Sequence, residues 1–201
     1  MLRRLELMLV AAVLALAGAA GPVRGQDQLT ESPDGPEAVK VYFTPDEALA
    51  RVFAEADSLW SEEWIPTPGQ RSELETRLGW AVTGETFVVH RGIRDGQDQG
   101  YAMIMEEQGR FKPITFMVKV KADLRVEMVL VMVYRESRGD GVKRQRFLKQ
   151  FRDKDESDHL RLNRDIVAVS GATMSSRALA IGVKKALAIL TLKHAPRKDG
   201  P

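Results

Sequence analysis

The sequence contains no cysteine in 201 residues. That excludes disulfide frameworks, thiolate nucleophiles, Cys-ligated zinc, iron–sulfur clusters, c-type haem and lipid attachment at an N-terminal cysteine. Charge of one sign is also missing. The formal net charge is +2, and Arg3, Arg4 and Arg24 against Glu6 account for all of it, which leaves 27 basic and 27 acidic side chains in residues 26–201. A nucleic-acid reader carries a basic excess, so no nucleic-acid partner is expected. The apolar run Leu7–Gly21 has 15 residues, short of the ~20 that cross hydrocarbon. There is no Walker loop, and Gly139-x-Gly141 lacks the third glycine and the preceding βαβ unit of a dinucleotide fold. His90, His159 and His194 fall in three separate elements without metal-ligand spacing and read as surface or satisfied histidines. The acids of Asp153–Asp158 lack the central glycine of a calcium loop and read as a solvated loop. Lys143–Arg146 is too short a basic run to claim a partner. Chemistry here needs other side chains or a bound organic cofactor.

What is present is the composition of a globular protein, 44% hydrophobic and 29% charged. A basic start, the apolar run and the small residues after it describe a secretory signal over 1–25, with a short uncleaved anchor as the alternative. Either places the rest outside the cytoplasm, in or facing the periplasm. Residues 26–40, rich in Asp, Pro, Gly, Ser and Glu, read as a tether. Thr44-Pro-Asp-Glu47 is a capping box with proline in the first turn, and Leu49, Val52, Phe53, Ala56 and Leu59 extend a helix to about Trp60. Thr67-Pro-Gly-Gln70 starts a second helix that stops at Gly79. Residues 41–84 thus form an N-terminal helical segment.

From Thr86 the apolar period changes to two. Strands are expected at 87–90, 101–105, 114–120 and 126–134, the last apolar on both faces and so central in its sheet. A loop, 136–141, and a basic helix, 142–151, follow. A long helix over 174–193 buries Leu179, Val183, Leu187 and Leu190, and 196–201 is a tail. The expected class is α+β: a four-stranded antiparallel sheet with helices packed on it, two N-terminal helices and a long C-terminal one.

One segment stands out, Asp165 to Ser176, leading into the last helix. Ser170-Gly171-Ala172 is a turn of minimal bulk, and Thr173 sits at the helix start. Free backbone N–H groups and the positive end of the helix dipole there favour a phosphate. A plain N-cap hydroxyl is the other reading of Thr173.

Tyr134–Val142, Arg146–Phe151 and Asp165 onward, over about residues 85–192, resemble the extracytoplasmic FMN-binding domain family. That family includes the flavin-bearing subunits of the sodium-pumping NADH:quinone reductase and of the Rnf-type electron-transport complex. Its hallmark, Ser-Gly-Ala-Thr followed by another Ser or Thr, is here Ser170-Gly171-Ala172-Thr173-Met-Ser175. The resemblance implies an FMN-binding domain over 85–195. FMN would be joined by its phosphate to Thr173 through a separate FAD-dependent flavin transferase, with Ser170 and Ser175 or Ser176 bonding the phosphate oxygens. It also implies that the loop Glu136–Gly141 (Glu136, Ser137, Gly139, Gly141) lies near the isoalloxazine, the two glycines allowing close approach of its backbone. The family usually has Asp where this chain has Val167. The implied function is an electron carrier with a redox partner in or at the membrane and no substrate of its own. A flavin-free binding or scaffold module of the same fold is the alternative, and Val167 is the residue that favours it.

Overall fold

The computed structural model describes residues 39–194. The expected signal segment, most of the tether and the tail lie outside them. Five strands form an antiparallel meander: β2 (Ser58–Trp64), β3 (Phe87–Arg94), β4 (Gln97–Gln108), β5 (Pro113–Val120) and β6 (Val126–Tyr134). A two-residue strand, β1 (Lys40–Val41), pairs with the far side of β6, giving the sheet order β1-β6-β5-β4-β3-β2. The class is therefore α+β with an antiparallel sheet, but of six strands where four were expected.

The extra strands explain a second correction. The first helix, α1, spans only Pro45–Val52, although its capping box on Thr44 and Glu47 forms as expected. Phe53 turns out of the helix and packs its ring on Gly92 of β3, where a Cβ would lie 2.3 Å from the ring. The chain then runs back as β2, an edge strand against β3, so Leu59 and Trp60 belong to a strand. The apolar spacing that carried the expected helix onward to Trp60 is accidental.

The sheet is covered on both sides. On one face lies α4 (Thr173–His194), which buries Leu179, Val183, Leu187 and Leu190 against Met103, Phe116 and Val118, with α2 (Pro68–Leu78) beside it through Leu74 and Leu78. On the other, α1 sets Ala48, Val52 and Phe53 over Ala102, Met117, Leu130 and Met132. A register shift between Val131 and Val133 of β6 lets Tyr134 face the α4 layer. Under α1, the buried Lys119 ammonium donates to Glu127 Oε2 at 2.6 Å and to the Gln99 carbonyl at 2.5 Å, 4.9 Å from the centre of the Phe53 ring.

The expected basic helix of 142–151 is three short pieces: a 3₁₀ turn at Asp140–Lys143, α3 (Gln145–Leu148) and a 3₁₀ turn at Lys149–Phe151. Val142, Phe147, Leu148 and Phe151 are all buried, and their uneven spacing suits successive turns better than one straight helix. The reading of the histidines as surface or satisfied holds for His90 and fails for His194, whose buried Nε2 has no hydrogen-bond partner among the described residues. The His90 ring is buried and its Nδ1 lies 2.7 Å from Ser61 Oγ, while His194 is half-buried and stacked on Tyr101 with ring centroids 3.9 Å apart. Burial lowers both imidazole pKa values. Asp155 and Asp158 are partly buried and accept hydrogen bonds from Ser157 and Lys154, so this loop is held by its own side chains.

Candidate functional site

The Thr173 segment is built by a turn, a side-chain tie and a helix start. Ala172 N donates to Val169 O at 2.9 Å, closing a four-residue turn whose third residue, Gly171, has φ +73°. That conformation favours glycine, and nothing lies within 4 Å of the place a Cβ would take. Ser176 N donates to Ala172 O, the first bond of the helix, so Ala172 stands at the cap and Thr173 is the first helical residue. Thr173 is exposed, and its hydroxyl has no partner among the described residues. The backbone N–H groups of Thr173, Met174 and Ser175 likewise find no acceptor among them. A nucleophile-sized hydroxyl thus sits beside three free donors at the positive end of a 22-residue helix.

The residues before the turn are held like a short strand without a strand neighbour. Val167 N donates to Gln150 Oε1 at 2.8 Å, and Gln150 Nε2 donates to Val167 O at 3.1 Å. The Val167 side chain points to solvent, 71% exposed. No packing demands valine at this position.

The other expected site residues divide by direction. Ser170 is exposed beside Thr173. Ser175 and Ser176 face inward, 2% and 0% exposed. Ser175 Oγ lies 2.9 Å from the Tyr134 hydroxyl, which donates to Arg138 O at 2.5 Å, and Ser176 Oγ accepts from Val169 N at 3.1 Å. Burial raises the Tyr134 phenol pKa. Both serines therefore fasten the helix start to the fold. Ser176 is engaged from the turn side, and Ser175 from the sheet side.

The loop after β6 shows the same pattern. Glu136, 5% exposed, accepts from Phe111 N at 2.7 Å and from Lys112 N at 3.2 Å, so its carboxylate closes the β4–β5 turn. Gly109 makes room for it, since a Cβ there would lie 2.6 Å from Glu136 Oε1. Gly139 has φ +90°, and a Cβ on it would meet the Tyr134 hydroxyl at 2.6 Å and Ser175 Oγ at 3.2 Å; one on Gly141 would meet Val169 Cγ1 at 3.0 Å. The space that these glycines leave is filled by the protein's own atoms. Ser137 follows Glu136 in the same loop, and Asp140 is held by Lys40 at 3.1 Å, which lowers its pKa and anchors β1 to the loop.

Because Glu136 is a buried acceptor for two backbone donors, Glu136→Ala should cost about 2 kcal/mol of stability. Urea unfolding followed by circular dichroism measures it. A midpoint equal to that of the parent would show that the carboxylate is dispensable.

Sequence reasoning did not single out three other residues: Gln150, which holds Val167, and Arg177 and Arg161, which line one cavity. Arg177 follows Thr173 by one helical turn, a spacing that puts both on one face. Neither its guanidinium nor that of Arg161 has a partner among the described residues.

Residues 109–188 match the model of a family described as FMN-binding domain. Among solved structures, the chain is similar to a component of the Na(+)-translocating NADH-quinone reductase from Parabacteroides distasonis. The two share 13% identity with a TM-score of 0.52, covering 77% of this chain and 86% of that one. It also aligns with NqrC of Shewanella oneidensis, at 18% identity and a TM-score of 0.45, over 79% of this chain and 86% of that one. The Parabacteroides likeness is one of fold. No curated protein matches the sequence. The cofactor that the matched domain indicates is FMN.

The donor set fits that group. A phosphate monoanion on the Thr173 hydroxyl would meet the free N–H groups of the helix start and the unpartnered Arg177, with no carboxylate in the Ser170–Arg177 stretch.

Proposed function

We propose, from the match of residues 109–188 to the FMN-binding domain, that the chain is an exported flavoprotein that carries FMN on Thr173 and relays electrons to or from a membrane redox complex. The observation that carries this reading is the exposed, unpartnered Thr173 hydroxyl beside three free backbone donors at the start of α4. When bound, FMN supplies one- and two-electron transfer. The chain's part is to hold and orient it. Thr173 takes the FMN-side phosphoryl group of FAD in a reaction run by a flavin transferase, with AMP leaving and the hydroxyl proton released. The N–H groups of Thr173, Met174 and Ser175 then face the phosphoester charge, and Arg177 neutralises it. The Tyr134–Ser175 and Val169–Ser176 bonds keep the helix start fixed while the exposed side stays open to a redox partner. A covalent link also suits an exported carrier, because a free cofactor would be lost by mass action where its concentration is low.

The flavin-free scaffold reading rests on Val167, which is presented to solvent where the family usually carries Asp. An exposed position is one that a modifying enzyme touches directly. The experiment is co-expression of the chain with an FAD-dependent flavin transferase in the periplasm, followed by intact mass of the denatured protein. The expected result is a gain of FMN less one water in a yellow protein. A colourless, unmodified chain, with the transferase active on a control substrate, would defeat the flavoprotein reading for the native sequence. Val167→Asp is the companion variant: loading of that variant alone would assign the block to Val167, since the substitution changes no packing.

A further inference from the structure

A cavity of ≈ 470 Å³ opens between α2 and α4, a volume within the range of small-molecule sites. Its walls come from three parts of the chain: Trp80 just beyond α2, Leu160 and Arg161 in the segment before the Thr173 turn, and Arg177, Ile181 and Lys184 on α4. The wall at Trp80 is pinned from both sides. Gly79 ends α2 with φ +80°, Arg71 Nη1 donates to Val82 O at 3.1 Å, and Val82 N donates to Glu75 Oε1 at 3.1 Å. Leu160 is buried in the left-handed region, at φ +52°, a costly conformation for a side chain with a Cβ. The chain passes there from buried Leu160 to exposed Arg161 at the rim.

The lining combines apolar side chains with cations and holds no carboxylate, although residues 26–201 as a whole balance their charges. Of the cations, Arg77 is paired with Glu73 and Glu156. Lys184 bonds main-chain carbonyls, that of Asp158 at 2.9 Å and that of Glu156 at 3.4 Å, so its charge is not cancelled. The guanidiniums of Arg161 and Arg177 have no partner among the described residues. Three uncompensated positive charges thus line one space, and a cleft lined by one sign draws the opposite ion from solution. Beside them Trp80 and Ile181 are 40% and 36% exposed, which leaves apolar surface uncovered.

We propose that this cavity binds a free anionic amphiphile, a small molecule with one carboxylate, sulfonate or phosphate head on an apolar body. The head meets Arg161 and Lys184, and the body covers Trp80 and Ile181. Arg161 offers the head a planar fork of donors, and Lys184 a point charge. A neutral molecule of the same shape gains the apolar contact alone, so the charge sets the selectivity. Arg161 and Lys184 remain for the head where Arg177 serves a phosphoester, so the site stands without the Thr173 reading. Trp80 and α2 also precede residues 109–188, the stretch that the family model matches, and the cavity is completed by a part of the chain outside it.

The test uses the full chain produced without a flavin transferase, with 8-anilinonaphthalene-1-sulfonate as the probe. Probe emission is expected to rise and saturate at one equivalent. N-phenyl-1-naphthylamine, the same rings without the sulfonate, should bind on the order of tenfold more weakly. Arg161→Glu should weaken the sulfonate probe by about tenfold or more, while Arg164→Glu, exposed in the same segment but outside the cavity, leaves its affinity unchanged. No saturable binding, equal affinity for the charged and neutral probes, or equal affinity in the two arginine variants overturns the site. Should Arg161→Glu lose its circular dichroism signature, Ile181→Asp decides: a lost affinity sustains the site and an unchanged one removes it. Every readout is taken on the chain without FMN, so failure of flavin loading at Thr173 leaves this inference standing.

Discussion

Thr173→Ala should abolish covalent flavin completely: no FMN mass on the denatured chain and no yellow colour after unfolding and washing. The effect is all-or-none because the methyl side chain has no oxygen to receive the phosphoryl group. Stability should hardly change, since the hydroxyl has no partner among the described residues and Ala172, not Thr173, stands at the helix cap. Alanine is also the better helix former, by a few tenths of a kcal/mol. Thr173→Ser separates chemistry from position by keeping an oxygen at the same place, and loading should persist in it. Full loading of Thr173→Ala, with peptide mapping to Ser170, would move the attachment to the neighbouring exposed hydroxyl and overturn the assignment.

The second large effect is on the fold that carries the site. Gly182 lies in the middle of α4, where helix propensity alone favours its replacement by alanine by about 1 kcal/mol. The packing says the reverse. A Cβ at Gly182 would sit 2.4 Å from Phe116 Cζ and 2.8 Å from Glu107 Cγ, against a phenyl ring that is itself fully buried in the sheet. Gly182→Val adds two further methyl groups to that contact. Overpacking of this kind costs about 3 kcal/mol, which for a domain of this size lowers the melting temperature by roughly 6–12 °C. Thermal unfolding of the parent and the variant measures it. An unchanged melting temperature would mean that α4 can lift off the sheet freely, and the fixed helix start would lose its support.

Much of this architecture is legible in the sequence, for identifiable reasons. Strands β3 to β6 announce themselves by period-two patterns broken by Asp95-Gly96, Gly109 and Lys121–Leu124. The capping boxes at Thr44 and Thr67 form as the residue types dictate. The α4 stripe is buried as its spacing requires. Strand β2 is hidden because it is an edge exposed on both faces, so no alternation marks it, and its leucine extends the helical spacing of α1. Strand β1 has two residues and no pattern at all. In the site, Thr173 is readable from its small neighbours and from the helix after it. The inward bonds of Ser175 and Ser176 are not, because their partners, Tyr134 and Val169, are set by tertiary packing. Glu136 is the clearest such case: its partners are backbone N–H groups 24 and 25 residues away, which no motif encodes.

The two hydrogen bonds between Gln150 and the Val167 backbone have a consequence for the order of events in the life of this protein. An amide side chain does for Val167 what a neighbouring strand would do, so the peptide leading to Thr173 is straightened before any enzyme reaches it. A transferase that docks on this stretch need not freeze a floppy substrate, and it saves the ordering entropy that a loose peptide would lose. The same tie exists only once Gln150 and Val167, 17 residues apart, have been brought together by folding. An unfolded chain presents the same letters without the shape. On the loading of Thr173 proposed above, attachment would mark molecules that have folded and pass over those that have not.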